Sequence, residues 1–305
     1  MLIYTIRRFG LAVLVAIAVS MVSFMLIRMS GDPAIALAGE AASAAEIEYV
    51  RKQYGFDRPL IIQYLDWGFR VLQGDFGESP YFNQPVTTVI GDRIRVTMTL
   101  GLCALTFAVF LSIPMGVLAA TRPNTWIDRL ALSLSVMGQA MPSFWFGLIM
   151  IIIFGVMLRW LPISGSDSPR HFVMPIIALG YYATPAFMRL TRSGMLEVLG
   201  TDYVRSARAR GLPARTVLWS HAFPNSLLPL ITILGLYLPV LFSGAVFVET
   251  VFAWPGMGRT LVDAVSTRDY PLILAGSLLF SALVVLGNLA ADVLYAVADP
   301  RVRHE

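Results

Sequence analysis

"VTMTLGLCALTFAVFLSIPMGVLAAT", residues 96–121, runs for 26 residues without an Asp, Glu, Lys or Arg. As a helix it is about 39 Å long, enough to cross about 30 Å of hydrocarbon. Five further runs share this character, at 9–27, 130–158, 171–188, 222–248 and 270–291. The shortest, 171–188, contains Pro175 and Pro185 and spans if its ends reach into the interfaces. Mean hydropathy is +0.70, with 57% hydrophobic and 14% charged residues. Core helices of soluble proteins rarely exceed about 20 residues. Six such runs therefore predict an all-α integral membrane protein with six transmembrane helices.

Two features of the first run resemble a secretory signal: Arg7 and Arg8 before it, and "ALA" at 36–38 after it. The run is 19 residues long, against about 7–15 for a signal core, so a retained span is predicted. With Arg7 and Arg8 inside, six crossings return the C-terminus to the same side. Segments 1–8, 122–129, 189–221 and 292–305 then face the cytoplasm and hold twelve of the 23 basic residues. Among short loops only Arg159, Arg170, Arg259 and Arg268 fall outside. Basic residues concentrate in short cytoplasmic loops, so both termini are expected in the cytoplasm.

Residues 30–95 form the one polar stretch of any length. "SAAE", 43–46, has the spacing of a capping box, and Gly55 ends the helix it starts. "RPLIIQYLDWGFRVLQGDFG", 58–77, reads as a second amphipathic helix between Pro59 and Gly74. A small helical extracytoplasmic insertion is predicted, too short to bury a separate catalytic core. The expected order is a cytoplasmic tip and first span (1–29), the insertion (30–95) and a core (96–305). The core holds spans at 96–121, 130–158, 171–190, 222–248 and 270–294, a cytoplasmic loop at 191–221 and an outer segment at 249–269.

Enzymatic equipment is missing. The single lysine, Lys52, is in no G-x-x-x-x-G-K-[ST] loop. His171, His221 and His304 are scattered, and Cys103 is alone in an apolar run, so no metal set is expected. No G-x-S-x-G is present. No catalytic residue, metal or cofactor is assigned to this chain.

The densest charge is "DYVRSARARGLPAR", 202–215, with Arg205, Arg208, Arg210 and Arg215. Thr201 or Asp202 can cap a helix there, Gly211 breaks it, and Pro213 suits the start of a second short helix ending near 221–224. Ser206, Ala207 and Ala209 are small enough for another surface to approach. On charge alone three readings stay open: a positive-inside anchor, a patch for anionic lipid and a nucleic-acid patch.

The spacing resembles the EAA loop of ATP-binding-cassette (ABC) importer permeases, E-A-A-x3-G-x9-I-x-L-P. Ala207, Gly211 and Pro224 match it, and Phe223 is an apolar substitute. Asp202 to Leu212 is closer to the form in peptide- and nickel-type permeases, with conservative changes at Ser206 and Arg210. "LIYTIRR", "YGFDRPLIIQYLDW", "GDFGES", "GAVFVETVFAWPGMGRTLVDAVSTRDYP" and "NLAADVLYAVADPRVR" resemble other segments of that family in the same order. The resemblance is to the B-type permease of dipeptide/oligopeptide importers.

It implies a type I importer permease fold and several partners. These are a second homologous permease, two cytoplasmic ATPase subunits that hydrolyse ATP with Mg, and an extracytoplasmic solute-binding protein. The membrane is the bacterial or archaeal cytoplasmic (inner) membrane, and no nucleic acid is involved. Asp202, Tyr203, Arg205, Ser206, Ala207, Arg208, Ala209, Arg210, Gly211 and Pro224 become the ATPase-coupling loop. Glu249, Trp254, Pro255, Gly256 and Gly258 are candidates for the outer gate, followed by a short helix whose expected apolar side is Leu261, Val262 and Val265. Asp292, near the end of the last span, is a candidate for a structural ion pair with Arg301. Pro114, Pro142, Pro175, Pro185 and Pro239 are either bends in pathway-lining helices or packing kinks. The alternative is a stand-alone secondary transporter or channel, which predicts ionisable residues in mid-span and internal repeats.

The topology has a direct test in a Cys103→Ala background. Cysteines placed at Ser43 and Ser166 should react with an impermeant thiol reagent from outside, and one at Ser206 only after permeabilisation. Outside labelling at Ser206 would invert the orientation.

Overall fold

The computed structural model describes residues 2–39 and 41–298. The elements in chain order are α1 (Leu2–Ser30), α2 (Pro33–Ala38), α3 (Ala44–Gln53), α4 (Leu60–Leu72), β1 (Glu78–Ser79), β2 (Gln84–Pro85), α5 (Val86–Thr121), α6 (Trp126–Ala140) and α7 (Ser143–Met150). They continue with α8 (Pro169–Leu199), α9 (Asp202–Ala209), α10 (Ala214–Thr216), α11 (Phe223–Ser226), α12 (Leu228–Val251), α13 (Met257–Ser266) and α14 (Tyr270–Ala298). Wider π turns follow α7, at Ile151–Met157, and α10, at Val217–Ala222.

Among the described residues four helices are long and apolar enough to cross a membrane: Val86–Thr121, Pro169–Leu199, Ile233–Val251 and Tyr270–Ala290. α6 and α7 with its π turn pass the same test as a pair bent by 103°. Val13–Met29, within α1, is a shorter apolar helix. Of the prolines named above, Pro142 alone makes this break. Its ring forces Met141 into extended backbone, φ −97° and ψ 124°. Pro114, Pro175, Pro185 and Pro239 lie inside continuous helices. α5 begins ten residues before 96 and α8 runs nine residues past 190, because nothing in either flank breaks the helix.

The chain divides into two compact units. One is Met1–Thr97 with Pro255–Val285. Its core packs Val86 and Val89 of α5 against Met257 and Ala264 of α13 and Leu272 and Ala275 of α14. The β1–β2 hairpin is tied to this core by the Ser79 hydroxyl, which donates to buried Asp269, and Asp269 in turn caps the Leu272 N–H. The capping box of α3 is present as read: Glu46 N–H donates to Ser43 Oγ, and the Ser43 N–H and hydroxyl donate to Glu46 Oε2. The Ser43 N–H bond to the Glu46 carboxylate keeps it below its usual range. Burial opposes ionisation of Asp32. The Arg51 guanidinium at 2.5 Å and the Ala34 N–H overcome that and hold the carboxyl below its usual range.

The other unit is Met98–Trp254 with Leu286–Glu305, and α8 is its centre. Small residues let neighbours approach α8 closely, the common device where hydrocarbon gives helices no hydrophobic drive to associate. A Cβ on Gly138 of α6 would sit 3.0 Å from the Tyr181 ring, and one on Gly147 of α7 would contact Phe252 and Ala178. A Cβ on Gly180 would meet the Ala104 carbonyl at 2.5 Å and Phe107 at 2.8 Å.

Gly180→Ala should therefore destabilise by about 1–3 kcal/mol, the range for overpacking. Gly91→Ala, where a Cβ meets nothing within 4 Å, should be neutral or stabilise by up to about 1 kcal/mol. Thermal unfolding of the two variants in detergent separates the cases. Equal melting temperatures would show that α5 and α8 have room to part.

Candidate coupling site

α9 starts after Thr201, which has the extended backbone of an N-cap. The expected side-chain cap is absent: the Thr201 hydroxyl donates backward to Val198 O at 2.6 Å and so binds α9 to the end of α8. α9 stops at Gly211, where φ is +79°. Gly211 N–H donates to Arg208 O and Leu212 N–H to Ala207 O, the paired bonds of a Schellman stop. A Cβ on Gly211 would touch nothing within 4 Å, so glycine is needed there for its backbone angle and not for space.

The helix after Pro213 does not end near 221–224. α10, the π turn and α11 follow one another directly, and only Leu227 separates α11 from α12. The elbow is thus one short helix set at an angle to a long, irregular helical entry into α12. Three groups fix that angle. The Tyr203 hydroxyl donates to His221 O at 3.0 Å, and Asn225 Nδ2 donates to both the Tyr203 oxygen and His221 O at 2.9 Å. Ser226 Oγ donates to Phe223 O and lies 3.0 Å from Met195 Sδ of α8.

The small residues divide differently from the expectation. Ala207 is buried with Val204 and Val217, against Val198 and Leu199 of α8. It holds the elbow to its own chain and offers nothing to a partner. The reason is helical spacing: Val204 and Ala207 are three apart and share a face. Asp202, Tyr203, Arg205, Ser206, Arg208, Ala209, Arg210, Gly211 and Pro224 are exposed. Arg205 pairs with Asp202 at 3.2 Å, and Arg210 Nε donates to Ser206 O at 3.3 Å.

Sequence reading missed the group that anchors the near end of α8. Asp128, 2% exposed, receives Arg192 Nε at 2.6 Å and Nη2 at 2.8 Å, together with the Asn124 N–H at 2.9 Å. Arg189 donates to Gln139 at 2.8 Å one turn earlier. These bonds join α6 to the part of α8 that carries the elbow. The only hint in sequence was an Asp at the start of a span, 64 residues from its partner.

The outer candidates fall on either side of the division between the units. Glu249 and Trp254 belong to the second unit, and both are fully buried. Trp254 N–H donates to Glu249 O at 2.7 Å, and its ring meets Phe172 edge-on at 4.5 Å. Its indole N–H is buried with no hydrogen-bond acceptor, which costs about 1–3 kcal/mol. Pro255, Gly256 and Gly258 open the discontinuous part of the first unit. Arg93 donates to Pro255 O at 3.3 Å, and Met257 N–H to Thr97 Oγ1 at 2.8 Å. The buried side of α13 is Met257, Thr260, Leu261 and Ala264, whereas Val262 and Val265 are exposed. The stripe at i, i+4 and i+7 from Met257 outcompetes the valines because it meets α5 and α14. The side chain of Asp292 lies outside the described residues, as do those of Arg7 and Arg8, and Arg301 lies beyond them altogether.

Both the sequence and the fold resemble those of known proteins. Residues 112–304 match the family described as binding-protein-dependent transport system inner membrane component, and residues 1–101 match its N-terminal family. The chain is 40% identical over 306 residues to the glutathione transport system permease protein GsiC of Salmonella typhimurium, with all of both chains covered. It is 36% identical over 338 residues to the dipeptide transport system permease protein DppB of Escherichia coli K12, again with full coverage. The fold resembles the MetNI methionine ABC transporter in an inward-facing conformation, with TM-score 0.55, 18% identity, and coverage of 70% of this chain and 97% of that one. An amino acid ABC transporter gives TM-score 0.51 at 17% identity, covering 70% and 94% of the respective chains.

Arg192→Met should leave the Asp128 carboxylate buried and unpaired, at a cost of about 3–5 kcal/mol. The double variant Asp128→Leu/Arg192→Met should recover most of it, since a buried pair replaced by apolar groups is often neutral. Thermal melts of both proteins decide the point. A double variant as unstable as the single would mean that shape, and not charge, is what the site requires.

Proposed function

The chain belongs to the family of binding-protein-dependent transport system inner membrane components, and from that premise we propose how it couples ATP hydrolysis to movement of its solute. It is the permease component of an ABC importer and a multi-pass inner-membrane protein. In our reading α1, α5, the bent α6–α7 pair, α8, α12 and α14 are six spans, with both termini in the cytoplasm. The chain forms half of a translocation pathway and pairs with a second, homologous permease. A solute-binding protein delivers cargo from outside, and two ATPase subunits dock at the cytoplasmic elbow. Full-length relatives named for glutathione and dipeptide transport support short peptides, or molecules built like them, as the cargo.

The two-sidedness of 202–224 carries the coupling role. Its apolar side, Val204, Ala207 and Val217, is locked onto α8, so a push on α9 reaches the span directly. Its other side presents exposed Arg205, Arg208, Arg210 and Arg215, fork-shaped donors suited to the carboxylates of a partner. The Schellman stop at Gly211 and the Tyr203–His221–Asn225 bonds make the elbow stiff. A stiff lever with a cationic contact face transmits closure of an ATPase dimer, where a plain positive-inside anchor needs neither feature. In this scheme Glu249 and Trp254 are outer-gate candidates of the second unit, and Pro255, Gly256 and Gly258 are candidates of the first. The orphaned indole N–H of Trp254 supports a role for that residue, since a buried donor without an acceptor in one state is free to gain one in another.

Gly211→Val should strain the left-handed turn, because β-branched residues disfavour positive φ. Arg208→Glu should set like charges against an acidic partner surface. Neither change touches a span, so membrane levels should stay normal. Retention of the ATPase subunits on purification, or stimulation of ATP hydrolysis by loaded binding protein, should fall at least about tenfold, equivalent to 1.4 kcal/mol. Wild-type coupling and uptake by both variants would leave the elbow an orientation anchor only.

A further inference from the structure

α4 carries an apolar face that nothing in its own unit covers. At 100° per residue the helix divides into three sectors. Gln63, Tyr64, Trp67 and Val71 face the chain. Ile61, Ile62, Leu65, Phe69 and Leu72 occupy a second sector about 100° wide, and they are 68%, 43%, 61%, 68% and 85% exposed. Asp66, Arg70 and Gln73 form the third, with Asp66 paired to Arg58 at 3.3 Å. A contiguous exposed apolar sector beside a charged one marks an interaction surface.

Its contacts with α1 show how deep the helix lies. The Tyr64 hydroxyl is 2.7 Å from Ser20 Oγ and also reaches Ile17 O at 3.4 Å. The Phe24 ring meets Tyr64 at 5.5 Å and Trp67 at 5.9 Å. Arg28, which ends the apolar run of α1, stacks over Phe24 and Phe56. By helical rise, Phe24 lies about 6 Å and Ser20 about 12 Å inward of Arg28. Half of a bilayer's hydrocarbon is about 15 Å thick. The Tyr64 edge of α4 therefore points toward the membrane centre. The Gln63 edge instead lines a cavity of about 300 Å³ with Arg28, Asp32 and Arg51. Going round the helix, the apolar sector adjoins the Tyr64 edge and the charged sector adjoins the Gln63 edge. Depth from contacts and polarity from sequence give the same order.

We propose that α4 is an interfacial helix, lying in the outer membrane–water boundary of the inner membrane with Ile61, Leu65, Phe69 and Leu72 among the acyl chains of that leaflet. This is the placement of an amphipathic helix in the interface plane, its apolar face about 5–10 Å into the acyl boundary. Trp67, against Phe24 and so about 6 Å inward of Arg28, lies within that range, and the deeper Tyr64 hydroxyl is satisfied by Ser20. The insertion is then a structure anchored in the leaflet, and not a cap standing in water. The assignment rests on the six-span reading, because α1 must cross the bilayer for its residues to measure depth.

Nitroxide labels on single cysteines in a Cys103→Ala background test it, in the transporter assembled with its partner subunits in phosphatidylethanolamine–phosphatidylglycerol nanodiscs. Labels at Leu65→Cys and Phe69→Cys should be more accessible to oxygen than to a nickel chelate, and labels at Arg70→Cys and Gln73→Cys the reverse. A label at Leu14→Cys, on the exposed side of α1, reports whether that helix spans. Water-like accessibility at 65 and 69, or shielding from both reagents by a protein partner, overturns the proposal while Leu14 remains oxygen-rich. A water-like Leu14 label instead overturns the spanning role of α1, and the placement of α4 falls with it.

Discussion

A backbone amide in hydrocarbon has no water to bond, so every N–H and C=O at membrane depth must find its partner within the protein. That constraint organises this molecule. It favours helices of the length seen in α5, α8 and α14, and it confines breaks to places where other backbone or side-chain groups take over. At Pro142 the chain turns by 103°, and Phe146 N–H bonds back to Pro142 O as α7 begins. At 252–254 the chain leaves α12, and Gly165 N–H and Trp254 N–H satisfy the carbonyls of Phe252 and Glu249. The helices then meet through glycines, since close backbone approach replaces the hydrophobic drive that water would supply.

The elbow obeys the opposite rule. It lies where polar groups are affordable, and its residues split by face. One side is apolar and sealed to α8. The other keeps its arginines exposed, with Arg205 paired to Asp202 and Arg210 bonded to Ser206 O at the surface. Behind it, the bidentate Asp128–Arg192 bond holds α6 to α8. A surface ion pair contributes little, whereas this buried one fixes a geometry that is costly to lose. In the proposed coupling role, force delivered to α9 would meet a braced helix and not a flexible loop. The π turn at Val217–Ala222 is the irregular part of this path, and such turns are frequent at functional positions.

The segment between α1 and α5 carries two helices of different character. α3 carries its own capping box and an Asp32–Arg51 bond, features of a surface in water. α4 packs an aromatic face on α1 and leaves an apolar face open. In the proposed placement α4 would give α1 a neighbour at a depth where a single apolar helix is otherwise surrounded by lipid.

Much of this was legible in the sequence, because the properties concerned depend on a residue and its near neighbours. Charge-free run length predicted membrane-crossing helices, Ser43–Glu46 predicted a capping box, and Gly211 and Pro213 predicted the break in the elbow. The spacing from Asp202 to Leu212 pointed to the importer permeases. Other properties depend on which surfaces meet, and only the tertiary structure decided them. Asp128 finds Arg192 across 64 residues, Ser79 finds Asp269 across 190, and Ala207 turns inward because Val217 and α8 are there to receive it. The apolar side of α13 is set by α5 and α14, which chose Met257, Leu261 and Ala264 over the valines. A helical pattern states which side chains share a face. Which of two apolar faces is buried depends on the neighbour that arrives, and that information lies far away in the chain.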